Sequence, residues 1–225
     1  MTAKTTATAS GEQQGRVPGT VRAQQKAETR ARILQCALDA FAERGFAGAG
    51  IRDIATAAGV NHGLIRYHFK NKDQLWKAAV EFLFDRLHSE MLPPPEDRAL
   101  SPYERARTSL HRYVRYCARH PEHARIMVQE SIRDSDRLTW AVEHFIKPDH
   151  DILSVKVRSL IDQKIYRDVP VHSLNYIMAA SAQSIFMLAK EVKQVYGLDA
   201  ASDEVIEAHA DAMVKLFFED PDASR

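Results

Sequence analysis

The chain has 225 residues, 45% of them hydrophobic and 27% charged, and its formal net charge is +1. This length can bury the core of one small domain and one larger domain. No stretch reaches the roughly 18 apolar residues of a membrane span, and the first residues lack the hydrophobic block of a signal peptide, so we expect a soluble cytoplasmic protein.

The small net charge results from two parts of opposite sign. Residues 1–72 contain 11 Lys+Arg and 5 Asp+Glu, a balance of +6, while residues 73–225 contain 20 and 25, a balance of −5. A basic front part favours a polyanionic partner such as DNA.

The chain is predicted to begin with a disordered arm, followed by a helix. Residues 1–21 are rich in Thr, Ala, Gly and Gln and cannot bury enough apolar surface to fold. Arg16 and Arg22 could reach a DNA minor groove, but a solvated tail is the simpler interpretation. From about Val21 the pattern is helical up to Gly45, with an apolar face formed by Ile33, Leu34, Ala37, Leu38 and Phe41.

Residues 51–72, IRDIATAAGVNHGLIRYHFKNK, are predicted to form two short helices joined at Gly59. Glycine enters the left-handed turn there without a steric penalty, and Asn61 can cap the second helix. A short helix that is held by its neighbour, with donors on its free face, suits the DNA major groove. The residues predicted to shape this helix-turn-helix are Ile54, Ala55, Gly59, Val60, Asn61, Ile65 and Phe69.

Four blocks of this region resemble the N-terminal domain of the TetR family of transcriptional regulators. They are A-F-x-x-x-G-F at 40–46, I-R-D-I-A at 51–55, A-G-V at 58–60 and Y-H-F-K-N-K at 67–72. All four occur in the family's order and spacing, and the resemblance covers about Lys26 to Leu83. His62, Leu64 and Arg66 differ from the family's usual Lys, Thr and Tyr, so no operator sequence is carried over.

The resemblance also implies roles for the second helix and its surroundings. Base edges are approached by the positions Arg52, His62, Gly63 and Arg66. Phosphates and sugars are approached by the positions Leu64, Tyr67, His68 and Lys72. Because Leu64 has no polar group, we assign it a sugar or a thymine methyl.

Elementary chemistry supports most of these roles. Arg52 and Arg66 can each donate two hydrogen bonds to guanine, worth about 1–3 kcal/mol of discrimination. Tyr67, His68 and Lys72 are donors suited to phosphate, which sets the register but carries no sequence information. Other interpretations stay open: solvation or an intrahelical partner for Arg66, and packing between helices for Tyr67 and His68.

The rest of the chain is predicted to be helical, without strand alternation or repeats. Helices are predicted to begin near Lys72, Ser101, Pro121, Asp134 or Ser135, Ile152, Pro170 and Ser202, with a capping box at Ser101. Pro148 and Gly197 are predicted to end two of them, and Ile132, Ile152 and Val155 to face inward. We therefore expect an all-α fold with a disordered arm (1–21), a three-helix helix-turn-helix DNA-binding domain (22–71), a larger helical effector-binding and dimerisation domain (72–220) and a tail (221–225).

One short reading helix covers only half a site, so specific binding requires two copies. The resemblance implies a homodimer on a palindromic operator, joined by the last two helices through Ser181, Ile185, Leu188, Val192, His209, Met213 and Phe217. It also implies a small-molecule effector, for which the composition favours an apolar or aromatic compound. The candidate pocket residues are Tyr113, Cys117, Met127, Trp140, Phe145, Tyr176, Gln183 and Phe186. For all of these residues plain core packing is the simpler interpretation, and repression is the expected mode of regulation.

Two other classes of function stay open. His120 and His123, with Glu130 and Asp134, could belong to a metal-dependent helical hydrolase, although Pro121 places His120 at a helix start and no HExxH motif is present. An architectural DNA-binding protein without an effector is the second alternative. No catalytic triad, phosphate-binding loop or dinucleotide fingerprint occurs, so we expect neither catalysis nor a cofactor or metal.

Overall fold

The computed structural model describes residues 18–219, with side chains from residue 22 onward. Within that range the chain folds into helices α1 (Pro18–Gly48), α2 (Ile51–Ala57), α3 (His62–Phe69), α4 (Lys72–Met91), α5 (Pro102–Arg119), α6 (Pro121–Arg133), α7 (Asp136–Ala141), α8 (Lys147–Asp162), α9 (Val171–Met187), α10 (Ala189–Tyr196) and α11 (Asp203–Phe217). The only strand-like pairing in residues 18–219 is an isolated bridge between Tyr166 and Phe218. The predicted all-α class is confirmed.

Helix α1 begins earlier than the sequence predicts. Its first residue is Pro18, inside the stretch predicted to be a disordered arm, and proline is favoured at the start of a helix. Residues 1–17, which include Arg16, and the predicted tail 221–225 lie outside the described residues. Near its end α1 is interrupted at Gly45, whose φ of 69° is left-handed.

Two clusters of buried apolar side chains hold the helices together. The first joins α1–α4 to parts of α6 and α7 and includes Phe41 and Trp76. The second joins α5, α8, α9 and α11 and includes Val114 and Leu174. Leu87 of α4 packs against both clusters, so α4 links the N-terminal helices to the C-terminal ones.

The path around Pro148 corrects the predicted helix end. The chain passes from α7 through a π-helical turn, Val142–Ile146, directly into α8, and Pro148 lies in the first turn of α8. Proline fits there because the first turn does not use its backbone N–H. The predicted inward positions Ile132, Ile152 and Val155 are wrong, since their side chains are exposed.

The predicted helix from Pro170 to Gly197 is two helices. It is interrupted at Leu188, whose φ of −101° and ψ of 24° are not helical, so that α9 ends at Met187 and α10 begins at Ala189. Gly197 follows α10 in the left-handed conformation. No helix within residues 18–219 combines the length and apolar character needed to cross a lipid bilayer.

Candidate nucleic-acid interface

The turn between α2 and α3 is held by backbone hydrogen bonds and by α1. Gly59 has a φ of 63°, and Val60 N donates to Ala55 O at 3.0 Å. From α1, Arg32 Nε donates to Ala58 O at 2.9 Å, which satisfies a carbonyl at the end of α2. The angle between α2 and α3 is therefore held by a third helix as well as by the turn itself.

Helix α3 is capped at its start and anchored on one side. Asn61 Oδ1 accepts a hydrogen bond from Leu64 N at 2.8 Å, which satisfies a free donor of the first turn. Ile65 and Phe69 are buried in the first core cluster. Among the other residues predicted to shape the unit, Ile54 and Ala55 are buried and Val60 packs against the same cluster. A helix of only eight residues is marginal by itself, so these contacts are what keep α3 in place.

The free side of α3 carries the residues predicted to meet DNA. Gly63, Arg66 and Tyr67 are exposed, with 74% of Tyr67 accessible, while His62, Leu64 and His68 are half-buried. Arg66 makes no side-chain hydrogen bond or ion pair with residues 22–219. Its guanidinium is therefore available to an external acceptor.

Arg52 lies on the exposed side of α2, next to an acidic residue that is already paired. Asp53 Oδ2 is 3.0 Å from Nη1 of Arg44, a residue near the end of α1. Because the carboxylate of Asp53 is engaged by Arg44, less of its negative charge opposes an approaching phosphate. Arg52 itself is exposed, and its backbone oxygen accepts from Thr56 Oγ1 at 3.0 Å.

Lys72 has protein partners as well as an outward position. Its Nζ donates to Ala47 O at 3.1 Å and lies 4.8 Å from the centre of the Phe46 ring. Burial lowers the pKa of Lys72, and nearby Arg137 lowers it further. An ammonium group has three donors, so two remain for a phosphate after the bond to Ala47.

His68 lies at the end of α3 with its ring edge-on to Tyr67 at 5.3 Å between centroids. Burial lowers its pKa below the ordinary value of 6.5, and the positive charges of Lys26 and Arg30 lower it further. The lowered pKa favours the neutral imidazole, which would offer a phosphate one uncharged N–H.

The candidate pocket residues do not form one site. Met127, Trp140 and Phe145 pack on the first core cluster, where the ring of Phe145 stacks on Phe84 at 4.7 Å. Tyr176 is 66% exposed, so its predicted inward position is wrong. The four others, Tyr113, Cys117, Gln183 and Phe186, belong to the region of the second cluster.

A small cavity lies beside this second group. Its volume is about 10 Å³, and it is lined by Tyr116, Cys117, His120, Pro121, His123, Ala124 and Gln183. Gln183 Nε2 donates to Tyr113 Oη at 2.8 Å, and burial raises the pKa of the Cys117 thiol to about 12. A space of this size holds about one water molecule, so a larger ligand requires the surrounding helices to move.

The predicted dimer residues divide into buried and accessible ones. Met213 and Phe217 are only 2% and 9% exposed because they pack in the second core cluster, so their assignment to a dimer surface is wrong. His209 Nε2 bonds to Ser181 O at 2.9 Å within the protomer. The remaining three, Ile185, Leu188 and Val192, line an open groove together with Ser184, Glu191, Tyr196 and Leu198.

The histidines of the hydrolase alternative have protein partners. His123 Nδ1 is 2.8 Å from Tyr116 Oη, and His120 Nε2 is 2.8 Å from Glu90 Oε1. Burial lowers the pKa of His123 to about 3. Glu130 Oε2 is 3.0 Å from Arg137 Nη2 and also bonds to Ser135. Within residues 22–219 no group of three or more His, Cys, Asp or Glu is arranged to hold a metal ion.

Sequence reasoning missed the side chains of α6 that contact other helices. Gln129 Nε2 donates to Ala42 O of α1 at 2.8 Å, Glu122 Oε1 accepts from Arg86 of α4 at 2.6 Å, and Arg125 Nη2 donates to Met187 O at the end of α9 at 3.0 Å. These partners are 36 to 87 residues apart in the chain. A single sequence contains no signal for such pairs, since they depend on how the helices pack.

Comparison with known proteins supports the interpretation of the N-terminal helices. The family described as bacterial regulatory proteins, tetR family, matches residues 33–79. The chain is 48% identical over 82 residues to the HTH-type transcriptional repressor Rv3405c of Mycobacterium tuberculosis, covering 35% of this chain and 44% of the relative. It is 33% identical over 113 residues to the HTH-type transcriptional repressor NicS of Pseudomonas putida, covering 50% of this chain and 52% of the relative. The matched segments span about half the length of these relatives.

Solved structures share the fold over most of the chain. AibR in complex with isovaleryl coenzyme A and operator DNA aligns with a TM-score of 0.66 at 20% identity, covering 84% of this chain and 98% of that one. The ketosteroid transcriptional regulator KstR2 of Mycobacterium tuberculosis aligns with a TM-score of 0.63 at 19% identity, covering 85% and 95%. The common architecture is an N-terminal helix-turn-helix followed by a larger helical domain.

Proposed function

We propose that this chain, whose residues 33–79 match the family described as bacterial regulatory proteins, tetR family, is a sequence-specific transcriptional regulator of that family. It binds a palindromic operator as a homodimer, acts as a repressor, and responds to a small molecule bound by its C-terminal helices. The observation that carries the proposal is the free side of α3, a capped and anchored helix whose Arg66 is exposed and available.

Base reading is assigned to the side chains with the fewest protein contacts. Arg66 and Arg52 are both exposed, and each can donate a pair of hydrogen bonds to guanine in the major groove. His62 and Gly63 lie at the start of α3, where a helix that enters the groove end-on comes closest to the bases. Leu64, Tyr67, His68 and Lys72 are assigned to phosphates and sugars.

The test is a comparison of specific and random duplexes. An operator is first selected by the wild-type protein from a pool of random sequences. Arg66→Ala should reduce the affinity for that operator by about 1–3 kcal/mol and leave random DNA nearly unaffected, while Lys72→Ala should weaken both and lower the salt dependence. Arg158→Ala, an exposed arginine of α8, is the matched control. An unchanged ratio of specific to random affinity in Arg66→Ala would refute the base-reading role.

The dimer is proposed to form through α9, α10 and α11. Leu188, Val195 and Tyr196 are exposed by 45%, 63% and 73%, and Leu216 of α11 by 64%. Exposed apolar side chains on neighbouring stretches of these helices are typical of an interaction surface. Two copies also satisfy the need for a second reading helix on a palindrome.

A charged residue within this surface should separate the protomers. Leu188→Glu should sediment as a monomer and lose affinity for the full operator, because each protomer then binds a single half-site. Leu92→Glu is the control, since Leu92 is 69% exposed but lies in the turn after α4. Intact dimers of Leu188→Glu would place the interface elsewhere.

Effector control is proposed to act through α6. The small cavity lies where α5, α6 and α9 meet, and α6 also contacts α1 and α4. A ligand larger than water must shift these helices, and a ligand changes DNA affinity only if it binds one arrangement better than the other. Apolar or aromatic compounds that raise the melting temperature should therefore change operator affinity. If none of them does, the architectural alternative is favoured.

A further inference from the structure

Helix α1 extends past the body of the protein at its N-terminal end. Residues 22–28 are all exposed, whereas from Ile33 onward α1 supplies a continuous buried face to the first core cluster. The exposed extension contains two of the three basic residues Arg22, Lys26 and Arg30, and the third lies just before the buried face begins.

These three residues recur every fourth position, so they lie along one side of the helix. One turn beyond Arg30 in the same row lies Leu34, which is fully buried. This row of side chains is therefore basic where α1 leaves the core and apolar where α1 enters it. We call Arg22, Lys26 and Arg30 the α1 basic face.

At Arg30, the α1 basic face lies next to the end of α3. The Cζ of Arg30 is 5.6 Å from the centre of the ring of Phe69, which is the last residue of α3. Burial lowers the pKa of His68, and the positive charges of Lys26 and Arg30 lower it further, so both residues lie close to His68. The basic face thus continues the side of the molecule on which Tyr67 and His68 stand.

This charge pattern is unfavourable for an isolated helix. Like charges four residues apart repel each other along a helix. A pattern that works against local stability points to a role outside the folded chain, and a polyanion removes this penalty.

We propose that the α1 basic face is a second DNA contact, which binds phosphates of the duplex flanking the half-site that α3 reads. The proposal rests on the proposed function of α3. Arg22 and Arg30 are separated by about 12 Å along the helix axis, and each DNA strand carries one phosphate per roughly 3.4 Å of duplex. The α1 basic face therefore spans about three to four base pairs, and it contributes affinity without sequence preference.

The experiment uses the full chain and duplexes of two lengths. One duplex ends at the outer edges of the selected operator, and the other carries about five further base pairs on each side. The variant Arg22→Gln with Lys26→Gln removes two exposed charges, while Arg30 is retained because it contacts Phe69. The control variant Lys156→Gln with Arg158→Gln removes two exposed charges from α8.

On the long duplex, the slope of log affinity against log salt should fall by about 0.9 for each lost phosphate contact. The loss of affinity should be equal for the operator and for random DNA of that length. On the short duplex the variant should match the wild type. Equal salt slopes for the variant and the control on the long duplex would overturn the proposal. A loss of affinity on the short duplex as large as that on the long duplex would also overturn it.

Failure of this inference can be distinguished from failure of the proposed function. If the wild-type protein selects no operator at all, the reading role of α3 fails. If it selects one and Arg66→Ala abolishes the preference while the Arg22→Gln, Lys26→Gln variant is indistinguishable from the wild type, only the flanking contact is wrong.

Discussion

The buried ion pair between Glu122 and Arg86 provides a quantitative test of how α6 is attached to α4. Glu122 is 7% exposed, and its Oε1 is 2.6 Å from Arg86 Nη2 and 3.6 Å from His120 Nδ1. Arg86 Nη1 in turn donates to Gln35 Oε1 of α1 at 2.7 Å. Glu122→Gln should therefore leave the guanidinium of Arg86, whose side chain is only 16% exposed, without its counter-charge.

The charge of Glu122 should stabilise the folded protein by about 3 kcal/mol. Removing one partner of a buried ion pair costs about 3–5 kcal/mol. Burial by itself would raise the pKa of Glu122, but hydrogen bonding from His120, from the backbone and from Arg86 lowers it from 4.5 to about 2. At 1.36 kcal/mol per pH unit, that difference corresponds to about 3 kcal/mol. We expect Glu122→Gln to lower the free energy of unfolding by about 3 kcal/mol at pH 7.

The sign of the pH dependence follows from the lowered pKa. A carboxyl group with a lower pKa in the folded state stabilises the protein above its unfolded pKa. For Glu122 this contribution is complete above about pH 4.5 and is lost as the pH falls towards about 2. The difference in the free energy of unfolding between the wild type and Glu122→Gln should therefore become smaller below pH 4.5, by up to about 1.4 kcal/mol per pH unit.

Urea denaturation followed by circular dichroism measures both effects, at pH 7 and at steps from 5 to 3.5. Glu143→Gln, an exposed carboxyl of the π-helical turn, should match the wild type. Replacing both partners, Arg86→Met with Glu122→Leu, should recover most of the lost stability because no buried charge is left unpaired. A Glu122→Gln variant within about 0.5 kcal/mol of the wild type, or a difference that stays constant down to pH 3.5, would refute the reasoning.

Two further predictions concern the helix-turn-helix. Gly59→Ala should lower the free energy of unfolding by about 1–2 kcal/mol through its φ of 63° alone. Gly45→Ala should destabilise the protein more, because a Cβ there would lie 2.8 Å from Gln129 Oε1 and displace a side chain that bonds to Ala42. A larger loss of stability in Gly59→Ala than in Gly45→Ala, measured by urea denaturation, would contradict this. Asn61→Ala should lower stability by about 1 kcal/mol and speed hydrogen exchange at the Leu64 amide, while Asn61→Ser should retain the cap. Unchanged exchange in Asn61→Ala would show that the cap does not hold α3.

Local signals in the sequence were sufficient for the all-α class and for several helix starts, but not for the start of α1 or for the break at Leu188. The capping box at Ser101 was predicted correctly, Ser135 is the cap of the two candidates Asp134 and Ser135, and Ser202 caps the helix predicted to begin there. Each of these caps depends on a hydrogen bond from a backbone N–H three residues later. The exposed position of Arg66 agrees with the same kind of reasoning, since the apolar spacing of Ile65 and Phe69 determines which side of α3 faces the core.

Only the packing of the helices decided which apolar faces are buried and which groups meet across the chain. Met213 and Phe217 share the apolar spacing of a possible dimer surface, but α11 turns them into its own protomer. Val155 is as hydrophobic as Val157, yet only Val157 reaches the core. The link from Glu122 to Arg86 joins residues 36 positions apart. Burial and ion pairing of this kind depend on the positions of other helices, whereas capping and turn formation depend on neighbouring residues. The sequence by itself therefore determined the short-range features, and the tertiary structure decided the long-range ones.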